Sequence, residues 1–310
     1  MPLFKGNTVA IFAHVRPDGD TLGSMLGLYN ALISAGVTVH LFCDSPIPPS
    51  FARLSGYFAI NAVPFGSYDT LVAVDVADSA RLGKYQQEFA RHPYTVCIDH
   101  HVTNPRYAKV NLVESCAATC ELVYRTLVQE GLPVDRAVAE CLYTGIITDT
   151  GCFAQSNTTP RTFAIAQELL AYGIDASELY DRFIALLPYG KLKLIAHVID
   201  TMRFFENGRI ALGLIALKDF KAYGVAPHDT EGIVRYPFYC NGVQIAVLLS
   251  EATPHDFKIS LRSRAPIDVS AVATQFCGGG HSRAAGGQLS GLTEEVVETV
   301  VRACALELPA

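Results

Sequence analysis

Acidic and imidazole side chains follow four apolar stretches of the chain, each at the point where the stretch ends. His14 comes directly after residues 9–13, and Asp18 and Asp20 lie a few positions later. The other candidates follow residues 71–74, 96–98 and 142–147, namely Asp75, Asp99, His100, His101 and Asp149. A buried polar side chain needs a hydrogen-bonding or ionic partner once it leaves water. We therefore expect these side chains to converge on one another or on a shared ligand.

Each segment also has an ordinary structural explanation when it is taken alone. Asp18 and Asp20 lie in a Pro-Asp-Gly sequence, which is a strong turn signal. The aspartates at positions 75 and 149 could cap helices. The two adjacent histidines could lie in the core with all their polar atoms hydrogen-bonded. The coincidence of all four segments, each at the end of a strand or helix, favours a common site.

The types of these residues indicate which chemistry they could perform. Carboxylates and imidazoles bind manganese, magnesium, zinc or iron, whereas thiolates select softer metals. Six candidates are too many for one ordinary site and suit two divalent ions that share a bridging carboxylate: His14, Asp18, Asp20, Asp75, His100 and Asp149. Without metal, the four aspartates would repel one another and raise one another's pKa. Paired divalent ions favour in-line displacement at phosphorus, so the residues predict hydrolysis of a phosphate ester or anhydride.

Alternating strand and helix patterns place these residues in a fold. We predict strands at residues 7–14, 37–43, 69–75 and 94–100, and helices at residues 21–35, 116–130, 134–148, 160–172 and 175–186. This alternation is typical of an α/β domain with a parallel sheet and helices on both faces. Ligands of such sheets bind beyond the carboxyl ends of the strands, which is where His14, Asp75 and His100 would lie.

The pattern changes near residue 187, and a chain of 310 residues suits two domains. We predict a catalytic domain at residues 1–187, a helical linker at 188–205 and a smaller α/β domain at 206–310. In the smaller domain we expect strands at 210–217, 243–249 and 257–261, and helices at 268–276 and 293–307.

A glycine-rich stretch at residues 278–287 stands out in the second domain. Backbone amides without side chains can approach a phosphate closely, and His281 and Arg283 add charge. A glycine loop by itself is more often an ordinary tight turn. Arg262, which follows a predicted strand, strengthens the phosphate interpretation.

Composition narrows the class of protein. The net charge of −6 disfavours binding of long nucleic acid, which rewards many Lys and Arg contacts, but it is compatible with short phosphorylated ligands. The 9 cysteines include no C-x-x-C pair, which predicts reduced thiols and a cytoplasmic location. We find no apolar run as long as a membrane span and no signal peptide.

The segments AHVRPDGD, VAVD, IDHH and GIITDTG resemble the successive motifs of the DHH phosphoesterase family. The later SLRS and GGGH segments are similar to its DHH-associated C-terminal domain. Within the family, IDHHVTN, AATCELVY and DTGCF look most like the nanoRNase/pAp-phosphatase branch. One departure is Cys277, which stands where that branch usually has a glycine.

The resemblance implies two manganese ions, with magnesium or another divalent ion as alternatives, and it implies roles for individual residues. His14 and Asp18 would bind the first ion, and Asp75 would bridge to the second. The remaining ligands of the second ion would be Asp20, His100 and Asp149. Asp99 would orient a ligand histidine, and His101 would contact the substrate phosphate. Across a cleft, the second domain would bind the far phosphate or base, and the substrate contacts would be Asn104, Arg262, Gly278, Gly279, Gly280, His281 and Arg283.

The function that the resemblance implies is hydrolysis of short oligoribonucleotides to 5′-mononucleotides, together with removal of a phosphate from 3′-phosphoadenosine 5′-phosphate (pAp). Alternatives are a cyclic di-AMP or pApA phosphodiesterase, a RecJ-like single-strand exonuclease and a metal-dependent nucleotide sensor. The acidic charge argues against the long-strand exonuclease, and the complete set of ligand residues argues against the sensor. The sequence leaves the oligomeric state open, with a homodimer among the expectations, and predicts no membrane or long-duplex partner.

Overall fold

The computed structural model describes residues 3–227 and 229–309. The chain divides into two compact units, with the boundary between Leu186 and Leu187. No helix in these described residues combines the length and the apolar character that crossing a membrane requires.

A five-stranded parallel sheet forms the centre of the first unit. Its strands are β1 (Thr8–Phe12), β2 (Thr38–Phe42), β3 (Thr70–Val74), β4 (Thr95–Asp99) and β5 (Val110–Val113). They lie in the order β2-β1-β3-β4-β5, and every neighbouring pair is parallel. The predicted parallel α/β fold is therefore confirmed. The edge strand β5 was not predicted, because it is only four residues long and only partly buried.

Helices cover both faces of this sheet. They are α1 (Gly19–Ser34), α2 (Gln86–Arg91), α3 (Thr119–Gln129), α4 (Arg136–Asp149), α5 (Pro160–Leu170) and α6 (Ala176–Tyr180). Val9 and Ile11 of β1 point into one core with α1, α3 and α4, whereas Ala10 and Phe12 point into a second core with α2. This alternation follows from the two-residue period of a strand, and it explains why the predicted strands are apolar throughout.

A six-stranded mixed sheet forms the centre of the second unit. Its strands are β6 (Arg203–Phe205), β7 (Ile210–Ile215), β8 (Ile245–Thr253), β9 (Asp256–Ser263), β10 (Gly279–His281) and β11 (Ala284–Ser290). They lie in the order β10-β11-β9-β8-β7-β6, and only β7 and β8 are parallel neighbours. The helices are α7 (Tyr189–Thr201), α8 (Leu217–Tyr223), α9 (Arg235–Phe238), α10 (Val269–Thr274) and α11 (Thr293–Leu306).

The segment that we expected to be a separate helical linker groups with the second unit. Helix α7 packs Leu194, Ile195 and Val198 against the sheet of that unit, and β6 pairs with β7. The glycine-rich stretch also differs from a simple loop, because residues 279–281 and 284–290 form an antiparallel hairpin. Both differences arise from pairing with distant residues, which local patterns do not report.

Candidate metal centre

Three neighbouring strands of the first sheet end at the candidate site. His14 lies two residues beyond β1, Asp75 follows β3, and Asp99 is the last residue of β4. Because β1, β3 and β4 are adjacent and parallel, their carboxyl ends lie side by side. Asp75 has a left-handed backbone conformation with φ of 58°, which is uncommon for a residue other than glycine and is concentrated at functional sites.

Two helices bring the remaining acidic residues to the same edge. Asp18 is the N-cap of α1, Asp20 lies in its first turn, and Asp149 is the last residue of α4. The two helices pack closely because Gly19 faces Thr148, and Gly23 faces the backbone of α4. Sequence positions more than a hundred residues apart thereby meet.

The ligand atoms form three groups, and the atoms within each group lie within 4.8 Å of one another. The groups are His14–Asp18–Asp75, Asp20–His100–Asp149 and Asp75–His100–His101. Asp75 belongs to two of them through different oxygens. Its Oδ2 lies 3.6 Å from His14 Nε2, and its Oδ1 lies 3.7 Å from His100 Nε2. This is the arrangement expected of a carboxylate that serves two neighbouring cations.

Hydrogen bonds on the far side orient the histidines. His14 Nδ1 lies 2.8 Å from the carbonyl oxygen of Val15, and His100 Nδ1 lies 3.1 Å from that of Cys116. A carbonyl that accepts from Nδ1–H leaves the Nε2 lone pair available for a metal. Both Nε2 atoms point to the carboxylates.

Burial and mutual repulsion shift the pKa values of the acidic groups. Burial and the nearby carboxylates of Asp75 and Asp149 raise the pKa of Asp20 well above its usual range. The pKa of Asp149 is raised to about 7, mainly by burial. For His100, burial lowers the pKa, but the surrounding carboxylates outweigh it and raise the value to about 9. Crowded acids that hold protons in this way are a chemical match for divalent cations, which would replace those protons.

Comparisons with known proteins show the family to which the chain belongs. The model of the DHH family, N-terminal domain, matches residues 8–146, and the model of the DHHA1 domain matches residues 224–306. The chain is 34% identical to the Thermus thermophilus protein named bifunctional oligoribonuclease and PAP phosphatase NrnA, and the match covers 97% of this chain and 90% of that protein. The chain belongs to the DHH family of phosphoesterases.

Two further relatives extend the comparison. A Streptococcus mutans protein named probable bifunctional oligoribonuclease and PAP phosphatase NrnA is 29% identical to this DHH phosphoesterase, over 93% of this chain and 91% of that protein. A crystal structure of an exopolyphosphatase-related protein from Bacteroides fragilis superimposes with a TM-score of 0.91 at 27% identity, and it covers 98% of this chain and 93% of that chain. The family resemblance predicted from the motifs is confirmed, and the protein is a hydrolytic enzyme.

The structure gives Asp99 and Asn104 contacts that differ from those expected. Asp99 is fully buried and accepts a hydrogen bond from His101 Nδ1 at 2.8 Å, so the histidine that it orients is His101. The buried Asn104 amide donates to Asp99 Oδ2 at 2.6 Å and to the carbonyl of Val76 at 3.1 Å. Asn104 therefore positions Asp99, and a phosphate contact by this residue stays a prediction.

The predicted substrate residues of the second unit lie on β9 and on the β10–β11 hairpin. Glycine is required at position 278 because a Cβ would meet the backbone of Gly286, and at position 280, where φ is 141°. Cys277 takes a left-handed φ of 52°, a conformation that glycine adopts more easily than other residues. The guanidinium of Arg283 donates to the carbonyls of Ile267 and Arg264.

Sequence reasoning missed four residues that contribute to the first unit's site. The backbone N–H groups of Thr119 and Cys120, in the first turn of α3, donate to Asp20 at 2.6 and 3.0 Å. The hydroxyl groups of Thr21 and Thr119 contact Asp75, and Arg81 Nη2 lies 3.0 Å from His14 Nδ1. The AATCELVY motif contains Thr119 and Cys120, but it entered the prediction through the family resemblance and not through the chemistry of these two residues.

Gly145→Ala is expected to disturb the Asp20 group. A Cβ at this position would overlap the Cys120 sulfur and lie 3.0 Å from Asp20 Oδ1. Overpacking costs about 1–3 kcal/mol and a helical Gly→Ala change gains about 1, so unfolding should become easier by about 1 kcal/mol. Displacement of Asp20 should weaken divalent-cation binding about tenfold. Chemical denaturation and calorimetric titration measure the two effects.

Gly66→Ala is the matched control, because a Cβ at Gly66 would meet no atom within 4 Å. It should match the wild-type protein in both measurements. Wild-type affinity for the divalent cation in Gly145→Ala would show that the position of Asp20 does not depend on this close packing.

Proposed function

We propose that this DHH phosphoesterase hydrolyses short oligoribonucleotides to 5′-mononucleotides and removes a phosphate from pAp, with two manganese ions as cofactors. The observation that carries the proposal is the Asp75 carboxylate, which faces one ligand group with each oxygen. The names of the similar proteins from Thermus thermophilus and Streptococcus mutans support the substrate class.

The ligand groups support a particular assignment of the two ions. His14 and Asp18 would hold the first, and Asp20, His100 and Asp149 would hold the second. Asp75 would be shared, because one of its oxygens lies near His14 and the other near His100. A donor set of carboxylate oxygens and imidazole nitrogens suits manganese, and magnesium or another divalent ion is the alternative. When bound, such a pair supplies a nucleophile at neutral pH and charge stabilisation at the phosphoryl group. Asp18 is exposed, so this edge of the site is open to solvent.

His101 is proposed to act on the scissile phosphate. Its Nδ1 is held by the fully buried Asp99 carboxylate, so Nε2 is the ring atom left to face a substrate. In the imidazolium form, Nε2 can donate a hydrogen bond to a phosphate oxygen and pass its proton to the leaving ribose oxygen. Asp99 stabilises the positive charge of the ring until the proton is transferred, and Asn104 holds Asp99 in place.

The second unit is proposed to bind a phosphate of the substrate through Arg262. Burial, and then the neighbouring Arg235 guanidinium, lower the pKa of Arg262. Arg262 forms no ion pair with any residue that the structure describes, although its Nη1 donates to the carbonyl of Leu261 at 2.9 Å. Glu231 is the nearby acid and raises the pKa of Arg262, but burial and Arg235 outweigh it. Two neighbouring guanidinium groups suit an anionic ligand. Further substrate contacts are proposed on the glycine-rich stretch, because backbone amides without side chains can approach a phosphate closely and two residues there add charge. These contacts are Gly278, Gly279, Gly280, His281 and Arg283.

The proposed substrate is short because the chain carries a net charge of −6, and long nucleic acid depends on many cationic contacts. All nine cysteines are free thiols, which supports a proposed location in the reducing cytoplasm. A homodimer stays a prediction.

A substrate panel tests the function. With manganese, we expect the purified protein to cleave labelled RNA dimers to pentamers and pAp faster than long single-stranded RNA, and to release 5′-mononucleotides. Asp75→Asn protein purified in parallel controls for contaminating nucleases. Equal rates at all lengths would reject the short-substrate proposal in favour of a RecJ-like exonuclease, and hydrolysis of cyclic di-AMP or pApA alone would replace it with the dinucleotide alternative.

A further inference from the structure

Two threonine hydroxyl groups hold the Asp75 carboxylate from opposite sides. Thr21 Oγ1 donates to Asp75 Oδ2 at 2.6 Å, and Thr119 Oγ1 donates to Asp75 Oδ1 at 2.9 Å. Both threonines are fully buried, and they lie in the first turns of α1 and α3. Each carboxylate oxygen therefore has one hydroxyl partner of its own.

The two hydrogen bonds fix the rotation of the carboxylate plane. Oδ2, which Thr21 holds, is the oxygen near His14, whereas Oδ1, which Thr119 holds, is the oxygen near His100 and His101. A free carboxylate could rotate about its Cβ–Cγ bond and present both oxygens to one group. Both hydroxyl bonds oppose that rotation, and the cost is greater on the Thr119 side, because the buried Thr119 hydroxyl would lose the acceptor that it has in the structure.

Thr21 has a second set of contacts that Thr119 lacks. Its hydroxyl lies 2.6 Å from His14 Nε2 and 3.0 Å from Asp18 Oδ1, so it touches all three members of the first ligand group. A hydroxyl has a single proton to donate, and its lone pairs can accept from a protonated Nε2. Thr21 thereby keeps the first group together before any cation is present.

We propose that Thr21 and Thr119 are positioning residues that fix Asp75 with one oxygen towards each metal position. This inference rests on the proposed two-metal function. Hydrogen-bond partners of ligand side chains typically change metal affinity or activity by about 10–100-fold when they are removed. The effect should be larger for Thr21, because a methyl group there would stand against three polar ligand atoms, whereas at Thr119 it would stand against one.

The experiment compares Thr21→Val and Thr119→Val, which keep the side-chain shape, with Thr21→Ser and Thr119→Ser, which keep the hydroxyl. Thr126→Val is the control, because the buried Thr126 hydroxyl bonds only to the carbonyl of Leu122 within α3. Calorimetric titration with manganese gives stoichiometry and affinity. Electron paramagnetic resonance of the loaded protein reports the magnetic coupling of a bridged manganese pair, which a purely structural defect would not change in a folded protein.

We expect the valine variants to fold, to bind manganese about tenfold more weakly for Thr119→Val and about a hundredfold for Thr21→Val, and to lose the coupled signal. The serine variants should restore both, and Thr126→Val should match the wild-type protein. Coupled manganese pairs of wild-type affinity in both valine variants would overturn the inference, as would tighter binding, which would mean that the hydroxyl groups compete with the metal. If wild-type protein itself bound fewer than two ions, the proposed function would fail instead.

Discussion

Replacing Asp75 by asparagine is expected to lower kcat/KM for RNA dimers by about a thousandfold, because metal ions supply several kcal/mol of transition-state stabilisation. Asparagine keeps the shape of the side chain but has one oxygen and no charge. Either the His14 group or the His100 group then loses its shared ligand. Steady-state hydrolysis with saturating manganese measures the effect, and circular dichroism shows that the variant is folded.

Asp69→Asn is the matched control, because Asp69 and Asp75 flank the same strand, β3. Asp69 precedes β3 at its amino end, and its Oδ2 accepts hydrogen bonds from the backbone N–H groups of Asn7 and Thr8. Asp69 and Asp75 therefore lie at opposite ends of β3. We expect Asp69→Asn to be less stable but to hydrolyse RNA at the wild-type rate while folded. A folded Asp75→Asn protein with wild-type activity would remove catalysis from this centre.

The stability of the metal-free protein is expected to fall as the pH rises from about 4 to about 9. The pKa of Asp149 is raised from 3.8 to about 7, and that of His100 is raised from 6.5 to about 9. Both groups bind protons more tightly in the folded chain, so the stability they contribute is complete at low pH. It is lost between pH 3.8 and about 7 for Asp149, and between pH 6.5 and about 9 for His100.

The pKa of Asp75 is shifted in the opposite direction, and this shift does not change the stability of the protein in the same pH range. Burial would raise it, but the hydrogen bonds and charges of His14, His100 and Thr21 together lower it to about 2. Its contribution is complete above pH 3.8 and is lost only as the pH falls towards about 2. The predicted decline between pH 4 and pH 9 therefore comes from groups whose protons a metal would replace.

Manganese should restore the stability that the metal-free protein loses as the pH rises. Metal binding requires deprotonated ligands, so the rise in melting temperature on adding manganese should be larger at pH 8 than at pH 6. A ligand at a hundred times its Kd stabilises a protein by about 2.7 kcal/mol per site. Thermal unfolding in chelator and in manganese, across this pH range, measures both effects.

His100→Gln should flatten the pH dependence above pH 6.5 and reduce the manganese effect. His40→Gln is the control, because His40 lies on β2 and its Nδ1 contacts Tyr68. A metal-free protein that becomes more stable as the pH rises, or a manganese effect that is the same at pH 6 and pH 8, would contradict the proposed origin of the shifts.

The sequence by itself determined which residues could meet. Strands buried on both faces appear as continuous apolar runs, so the polar residues that end those runs were visible as His14, Asp75 and Asp99. The parallel arrangement followed from the alternation of strands and helices, and it placed those ends at one edge. The motifs added the family, which the comparisons confirmed.

Only the tertiary structure decided which atoms face one another. The partner of Asp99 is His101, the two oxygens of Asp75 face different histidines, and the donors to Asp20 come from residues 119 and 120. The donors to Asp20 lie 99 and 100 positions from it along the chain. The geometry of these contacts depends on how closely α1, α3 and α4 pack. It therefore depends on side chains and glycines that the periodicity of a single helix or strand does not identify. Local sequence patterns report the burial of a single element, whereas a hydrogen bond between two elements depends on the position of both.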